Sequence, residues 1–426
     1  MKLFIKFSIS WATHSRFSFV WITVLSFWIA APLRAEEWNF STTRGVVAGV
    51  LKWKDSGLES FSDRFRKDAE LHSLLIRRGV PASNLKLLLD GAATRAGIES
   101  AVREAALNAP ADSVFYFYYA GHGIKDASGS YLANYDIDSG SPESTGVNIR
   151  RIAEILASSF KGKMVIFTGD FCYSGAFEEA LRTLQKKGIR GFMLASASAS
   201  NESTGNWTFS QTWIDCLSGN PLCDKNGDGK ITLGEAQSEV AQAMKFRERQ
   251  RNGFLLAGVS ESLIISSATG KNQPGVGSYV LAPRAGAMLP ARITNRNGSR
   301  VTCEFYSYSK KTSVDLAENA VKPLNFRQYS VGTNLKVIWN GKSYPATVKK
   351  LDNDFHLITY SGYDSSWDEW VMDDRIVADD SVLVEWKGKW YPAKVLKTEG
   401  GRSFIHYEGF ESSWDEWVTS SRIKKP

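Results

Sequence analysis

The sequence predicts an α/β protein with a mainly parallel sheet and helices on both faces, followed by three small SH3-like β-barrels. From about residue 46 to residue 265, apolar strand segments alternate with amphipathic helical segments, which is typical of a parallel sheet covered on both faces. Beyond residue 278 the chain is rich in short strands and aromatic residues and repeats itself, which favours small barrels in series. With 426 residues, 43% of them hydrophobic, the chain is long enough to form several cores.

The first 35 residues predict a secretory signal peptide. Lys2, Lys6 and Arg16 precede an apolar segment at residues 17–31, which is followed by "PLRA" up to Ala35 and by two glutamates. The alternative is a short membrane anchor, but the apolar segment is shorter than the roughly 20 residues that a spanning helix needs. We therefore expect an exported protein, periplasmic or extracellular, with no integral membrane segment after removal of the leader.

The net charge bears on whether the protein binds nucleic acid, and the cysteine content bears on whether it can form disulfides. The formal charge of +7 falls to +3 without the four basic residues of the leader, which makes no strong case for nucleic-acid binding. Cys216 and Cys223 are close enough in sequence to close a small disulfide loop in an exported protein, whereas Cys172 and Cys303 are expected to be free thiols.

The alternation of patterns predicts the order of the elements in the first domain. Strands are expected at 46–52, 85–89, 114–119, 164–168 and 191–195, and helices at 63–78, 94–107, 148–158 and 234–248. Thr94 is expected to cap the second helix, because its hydroxyl can accept a hydrogen bond from the first helical turn. Sheets of this kind carry their functional residues just beyond the C-terminal ends of the strands.

Two residues with catalytic chemistry follow such strand ends. His122 lies in "YYAGHG" after the strand at 114–119, and Cys172 lies in "GDFCYSG" after the strand at 164–168. A free thiol with a pKa of about 8.5 is only slightly ionised at neutral pH, so it needs a neighbouring imidazole to become a good nucleophile. The flanking glycines leave room for a substrate backbone and for oxyanion donors. We therefore predict a Cys–His dyad; the alternative is a buried cysteine and a core histidine that never meet.

These motifs resemble those of the caspase-like cysteine peptidases, nearest the metacaspase and bacterial branch, over a predicted domain at residues 43–266. The resemblance implies a caspase-like sheet, with Cys172 as nucleophile, His122 as base and acid, and no third residue strictly required. In the metacaspase branch, an acid two residues before the cysteine and another in the first helix line the S1 pocket. The matching residues here are Asp170 and Asp68, which implies cleavage after Arg or Lys, because a carboxylate in a pocket selects a cation.

A calcium-binding loop is predicted inside the same domain. The segment "DKNGDGKITLGE", residues 224–235, fits the twelve-residue EF-hand pattern, with Gly229 at the sharp turn. The expected ligands are Asp224, Asn226, Asp228, the carbonyl of Lys230, Thr232 directly or through water, and Glu235. The chain has no partner loop, so we expect Ca²⁺ to be structural or activating; the alternative is an acidic turn without an ion.

A Gly/Pro/Ser-rich linker at 267–277 is followed by three copies of one unit. "WNGKSYPATVKKL" begins at Trp339 and "WKGKWYPAKVLKT" at Trp386, 47 residues further on, and "SSWDEWV" recurs at the same interval. We name the units repeat 1 (278–325), repeat 2 (332–378) and repeat 3 (379–426). Repeat 1 is degenerate and predicted to be a spacer, with Ser309, Ser313 and Leu316 at aromatic positions.

Repeats 2 and 3 resemble chromo-barrel or Tudor-knot domains. The resemblance implies an aromatic cage in each: Tyr344, Tyr360, Tyr363 and Trp367 in repeat 2, and Tyr391, Tyr407, Phe410 and Trp414 in repeat 3. Residues three apart on a strand face opposite sides, so Trp367 and Trp370 cannot both be core, nor can Trp414 and Trp417.

Aromatic cages hold cations by their ring faces, which indicates a cationic ligand for the repeats. A cationic peptide, a cell-envelope polymer and the peptidase's own substrate are all open as that ligand. The alternative is that these rings only pack a small barrel.

Together, these features predict an exported cysteine endopeptidase that acts on a protein or peptide, cleaves after Arg or Lys, and is stabilised or activated by calcium. The C-terminal barrels would tether it to a target. One alternative is a catalytically inactive caspase-like scaffold that binds through its cages, and another is acyl transfer or ligation by the same dyad.

Overall fold

The computed structural model describes residues 36–424 except 65, 273–274, 308–309 and 378–380; the predicted signal peptide and Ser309 lie outside the described residues. The N-terminal domain contains the strands β1 (Thr43–Gly49), β2 (Leu85–Leu89), β3 (Val114–Ala120), β4 (Gly123–Asp126), β5 (Gly129–Leu132), β6 (Val147–Asn148), β7 (Met164–Asp170), β8 (Arg190–Ala195), β9 (Lys230–Thr232), β10 (Gly253–Ala257) and β11 (Ile264–Ser267). Its helices are α1 (Lys67–Arg77), α2 (Arg95–Leu107), α3 (Pro142–Thr145), α4 (Ile149–Ser159), α5 (Phe177–Gln185), α6 (Thr208–Leu217) and α7 (Leu233–Glu248).

Six strands form the central sheet in the order β10-β8-β7-β3-β1-β2, and only β10 runs antiparallel to its neighbour. The predicted α/β class with a mainly parallel sheet is therefore confirmed. One of its two central strands, β3, is buried on both faces, and "VFYFYYA" is aromatic or apolar at every position. Phe115, Phe117 and Tyr119 pack into one core with α2, α4 and α5, and Tyr116 and Tyr118 pack into the other with α1, α6 and α7.

Two of the predicted elements are displaced in the structure. The first helix begins at Lys67 rather than at residue 63, since residues 51–64 form an irregular segment in which Asp63 pairs with Lys52 at 2.7 Å. The first strand ends at Gly49, where the backbone of Val50 turns toward Ala120. Thr94 caps α2 as predicted and accepts a hydrogen bond from the Gly97 amide at 3.0 Å.

The central strands β3 and β7 pair in parallel from Val114↔Met164 to Ala120↔Asp170. Their C-terminal ends are therefore level at one edge of the sheet. His122 and Cys172 each come two residues after the last pair, so the register alone carries both to the same edge.

Three five-stranded antiparallel sheets follow the N-terminal domain. Their strands are β12 (Tyr279–Arg284), β13 (Ala287–Asn297), β14 (Arg300–Ser307), β15 (Lys310–Ala317) and β16 (Lys322–Pro323) in repeat 1; β17 (Asn334–Trp339), β18 (Lys342–Asp352), β19 (Phe355–Tyr360), β20 (Glu369–Val371) and β21 (Ile376–Val377) in repeat 2; and β22 (Ser381–Trp386), β23 (Lys389–Glu399), β24 (Arg402–Tyr407), β25 (Glu416–Thr419) and β26 (Ile423–Lys424) in repeat 3.

The three sheets share one strand order, in which the fourth strand lies at one edge and the fifth at the other. The proline of each repeat also occupies the same register, since Pro290, Pro345 and Pro392 pair with Leu281, Lys336 and Leu383. Repeat 1 is therefore a third copy of the unit, although it has lost the tryptophans.

Repeat 2 packs directly against the N-terminal domain. The Asn201 side chain accepts a hydrogen bond from Trp370 N at 3.1 Å and donates one to Trp370 O at 2.9 Å. Arg251 pairs with Asp352 at 2.6 Å, and its guanidinium lies 4.7 Å from the centre of the Trp370 ring. Of the helices in the described part of the chain, none has the length and hydropathy of a bilayer-spanning segment.

Candidate active site

His122 and Cys172 line one cavity of about 360 Å³ at the C-terminal edge of the sheet. The loop from Glu202 to Trp207 and the strand end at Asp170 complete its walls. Gly123 allows the histidine loop to approach the cysteine loop, because a Cβ at this position would lie 2.0 Å from the Cys172 carbonyl oxygen. The fold thus brings the two predicted dyad residues into the same cavity.

The orientation of the His122 ring is set by a backbone carbonyl. Its Nε2 lies 2.8 Å from the Glu59 backbone oxygen, and the rings of Trp53 and Phe61 pack against the imidazole, each with its centroid 4.5 Å away. Because a carbonyl oxygen only accepts, Nε2 must carry the hydrogen, and Nδ1 of the neutral ring is then free to accept a proton. Sequence reasoning missed Glu59, since a contact through the main chain leaves no signal in residue type.

The Cys172 thiol is held in a protonated resting state. Burial raises its pKa above the ordinary value, and the charge of Glu202 acts in the same direction, whereas backbone N–H groups of Ser203, Gly123 and Cys172 itself oppose the shift. Sγ accepts a hydrogen bond from Ser203 N at 3.2 Å. In the described part of the chain no hydrogen bond joins Sγ to the imidazole, although both residues line one cavity.

The two predicted S1 carboxylates have different surroundings. Asp170 lines the cavity and accepts hydrogen bonds from Ser210 Oγ at 2.6 Å and Ser210 N at 3.2 Å. Burial raises the pKa of Asp170 to about 7. Asp68 is fully buried outside the cavity lining, and its two oxygens bind Arg66 at 3.0 and 2.7 Å. The structure therefore brings Asp170 into the cavity of the dyad, whereas Asp68 lies outside the cavity lining and is paired with Arg66.

The predicted calcium loop has the expected turn and joins α7. Gly229 has φ +84°, a left-handed conformation suited to glycine, and Asp224 accepts from the amides of Gly227 and Gly229 at 2.8 and 2.9 Å. Glu235 accepts from the amides of Lys225 and Thr232, both at 2.9 Å. Thr232 also caps α7 in a capping box with Glu235.

The donor set of this loop fits Ca²⁺ by residue type and by turn geometry. Among the described residues, no three Asp, Glu, His or Cys side chains lie close enough together to hold a metal by themselves. An ion in this loop would therefore depend also on Asn226 and on the Lys230 carbonyl. Just before the loop, Cys216 and Cys223 form a disulfide with Cα atoms 5.4 Å apart, the pairing that their spacing predicts.

The predicted cage residues of repeats 2 and 3 do cluster, and each cluster contains a fifth ring. We call Trp339, Tyr344, Tyr360, Tyr363 and Trp367 the proximal cage, and Trp386, Tyr391, Tyr407, Phe410 and Trp414 the distal cage. Neighbouring ring centroids are 5.6 to 6.3 Å apart in the proximal cage and 5.8 to 6.2 Å apart in the distal one. Trp339 and Trp386 were missed, although both stand at the same offset before the repeated "YPA" segment.

Neither tryptophan pair is wholly core, since Trp367, Trp414 and also Trp417 are exposed. Strand alternation does not explain the exposure of Trp367 and Trp414. They lie in short 3-10 turns, Ser365–Trp367 and Ser412–Trp414, rather than in extended strands. In each cage, the hydroxyl of one tyrosine donates a hydrogen bond to a glutamate, and this glutamate also forms an ion pair with an arginine. The residues are Tyr360, Glu369 and Arg375 in repeat 2, and Tyr407, Glu416 and Arg422 in repeat 3.

Comparison with known proteins gives one family for part of the chain. Repeat 3 is similar to the Tudor-knot family. The family model, described as an RNA-binding-activity knot of a chromodomain, matches residues 377–425. No curated protein matches this chain.

Two solved structures are similar to the chain at low sequence identity. A structural-genomics protein of Geobacter sulfurreducens has a TM-score of 0.37 and 14% identity, over 53% of this chain and 99% of that one. Caspase-1 from Spodoptera frugiperda has a TM-score of 0.34 and 11% identity, over 57% of this chain and 96% of that one.

Proposed function

We propose that this protein is a caspase-like cysteine endopeptidase that uses Cys172 and His122. The observation that carries the proposal is the level pairing of β3 and β7, which delivers a thiol and an imidazole to one cavity. The Glu59 carbonyl holds Nε2 of His122 as a donor and leaves Nδ1 able to accept a proton. A cysteine with only a structural role would not need a histidine prepared in this way.

The proposed reaction is acyl transfer through a thioester. His122 Nδ1 takes the Cys172 proton, and the thiolate attacks the scissile carbonyl carbon. The resulting oxyanion would accept hydrogen bonds from the backbone N–H groups of Gly123 and Cys172, which already act on Sγ. His122 then gives its proton to the departing amine, and water, deprotonated by the same ring, hydrolyses the thioester.

In this mechanism Cys172 must leave its contact with Ser203. Rotation of the thiol toward His122 exchanges one amide hydrogen bond for an ion pair, and substrate that displaces water from the cavity would favour this exchange. Apo geometries of dyads are often open in this way.

We propose that Asp170 directs cleavage after Arg or Lys. A bound guanidinium or ammonium would favour the ionised carboxylate and lower its pKa from about 7. Binding of a cationic P1 residue should therefore strengthen as the pH rises through 7. With Asp68 bound to Arg66, this specificity depends on Asp170 unless Arg66 moves.

We also propose that the chain is exported and that the loop at 224–235 binds Ca²⁺. A cleaved leader and the Cys216–Cys223 disulfide both suit an oxidising compartment. The loop would position α7, whose C-terminal end contacts the cavity wall: Glu248 accepts from Asn206 Nδ2 at 2.8 Å, and Gln250 accepts from Thr204 N at 3.2 Å.

An inactive scaffold is the second candidate, favoured by one observation: among the described residues, no hydrogen bond joins Sγ of Cys172 to the imidazole of His122. The two are separated by hydrolysis of fluorogenic peptides ending in Arg, Lys or Asp, with and without calcium. We expect cleavage of the Arg and Lys peptides, reduced on the order of 10³-fold or more in Cys172→Ala, with an unchanged melting temperature. No cleavage by the wild type with calcium would contradict the proposal, and preference for Asp would contradict its specificity. Product masses distinguish hydrolysis from ligation.

A further inference from the structure

A second cavity, of about 800 Å³, opens between the N-terminal domain and the proximal cage. All five rings of the proximal cage line one side. Tyr173, Asn201 and Glu202 line the other. In the described part of the chain the distal cage contributes no residue to this cavity, so the two cages have different surroundings despite their like geometry.

This cage cavity adjoins the catalytic cavity. Tyr173 directly follows the nucleophile and has φ +61°, a left-handed conformation that turns the chain sharply at this point. Its hydroxyl donates to Glu202 Oε1 at 3.3 Å, and Glu202 lines both cavities. Tyr173 and Glu202 therefore connect the cavity that contains the cysteine to the cage cavity.

The cage is held firmly in this position. The two hydrogen bonds between the Asn201 side chain and the Trp370 backbone connect the cavity-lining loop to repeat 2. Lys245 pairs with Asp354 and Arg251 with Asp352, so the β18–β19 hairpin also contacts the N-terminal domain.

The lining of the cage cavity favours a cation. Four carboxylates, those of Asp126, Glu202, Asp364 and Glu369, stand against two basic side chains. One of these, Arg375, is committed to Glu369 through two contacts of 2.7 Å. The other, Lys125, lies over the Tyr173 ring at 5.7 Å. The exposed ring faces of Trp367 and Tyr363 add the quadrupole attraction that aromatic rings offer to a cation.

We infer that the proximal cage is a substrate subsite of the catalytic cavity, which binds a cationic side chain of the peptide being cut, at a position other than P1. The inference rests on the proposed peptidase function. An extended peptide that crosses Cys172 and passes Tyr173 enters the cage cavity, where a lysine or arginine side chain meets the rings and Glu202.

The test compares two peptide series that share an Arg at P1. One series carries a single Lys at successive positions on either side of the cleaved bond, and the other carries norleucine at the same positions. In the wild type, we expect one Lys position to lower KM on the order of 10-fold relative to norleucine. Trp367→Ala should abolish this ratio.

The distal cage supplies a matched control. Trp414 is 49% exposed, against 48% for Trp367, and occupies the same place in its repeat. Trp414→Ala should therefore retain the wild-type ratio. A ratio unchanged by Trp367→Ala, or reduced equally by Trp414→Ala, would overturn the inference.

Binding measurements on Cys172→Ala separate this inference from the peptidase proposal. Fluorescence anisotropy of the uncut Lys peptide should show about 10-fold weaker binding in Cys172→Ala/Trp367→Ala, even if the wild type hydrolyses nothing. Equal binding by both variants would overturn the subsite. Displacement of the peptide by single-stranded RNA, dependent on Trp367, would also overturn it in favour of a nucleic-acid site.

Discussion

At the scale of single residues, the two free cysteines, Cys172 and Cys303, are expected to differ in their reactivity toward alkylating reagents. Cys172 lines the catalytic cavity, whereas Cys303 is completely buried in the core of repeat 1. Iodoacetamide should alkylate Cys172 alone in the folded protein, as read by peptide mass spectrometry. Because burial raises the pKa of Cys172, the rate should still increase above pH 9. Equal labelling of Cys303, or a rate already constant at pH 7, would contradict this.

Asp170 predicts an unusual pH dependence of stability. Its pKa in the folded state, about 7, lies above its ordinary value of 3.8, so the folded protein holds a proton that the unfolded chain releases. Its contribution is therefore fully present below pH 3.8 and is lost as the pH rises toward 7.

Asp170→Asn removes this titration but keeps an oxygen that can accept from Ser210. The melting temperature of the variant minus that of the wild type should therefore be larger at pH 8 than at pH 5. Calorimetry measures both values. A difference that is constant with pH would show that Asp170 is not buried as described.

Site residues that act through their side chains could be predicted from the sequence, and those that act through the main chain could not. His122, Cys172 and the cage tyrosines stand in motifs whose chemistry requires their residue types. Glu59 orients His122 by its carbonyl, which any residue could supply. The pairing of Asp68 with Arg66 was also beyond sequence reasoning, because it depends on how the irregular segment before α1 folds back.

At the scale of elements, the calcium loop and α7 connect an ion site to the cavity wall. Calcium at about 100 times its Kd should stabilise the fold by about 2.7 kcal/mol, which raises the melting temperature by a few degrees. Glu235→Gln should lose most of this rise.

Glu261→Gln, which removes an exposed acid outside the twelve-residue loop, is the control and should keep the full rise. Differential scanning fluorimetry with calcium and with EGTA makes the comparison. If Glu235→Gln and the wild type respond alike, the loop is not the site.

Elements with a clear apolar period were predictable, and irregular ones were not. The β2 strand and α2 match their predicted bounds, because the apolar pattern of each and the Thr94 cap of α2 depend only on neighbouring residues in the sequence. By contrast, α6, which follows the loop from Glu202 to Trp207, was not predicted. Almost all of its residues are buried, so its sequence lacks the polar face that identifies a surface helix. The small strands β4, β5 and β6 depend on mutual pairing that short segments do not encode.

At the scale of the whole molecule, Asn201 connects the cavity loop to repeat 2. Asn201→Ala removes both hydrogen bonds to the Trp370 backbone, so repeat 2 should be held less firmly. Hydrogen exchange should accelerate on the order of 10-fold at residues 366–371.

The equivalent segment of repeat 3, residues 413–418, serves as an internal control and should not change. Equal acceleration in both repeats would indicate a general loss of stability, and no change in either would show that the packing of repeat 2 does not depend on Asn201.

The 47-residue repetition has a consequence for affinity. The distal cage has the geometry of the proximal one but lies outside the cavity beside Cys172. If each cage takes one positive group, a polymer with two such groups at a matching separation gains the second contact without a second loss of translational freedom. Multiply charged chains would then remain attached between successive cuts, whereas singly charged ones would dissociate after each.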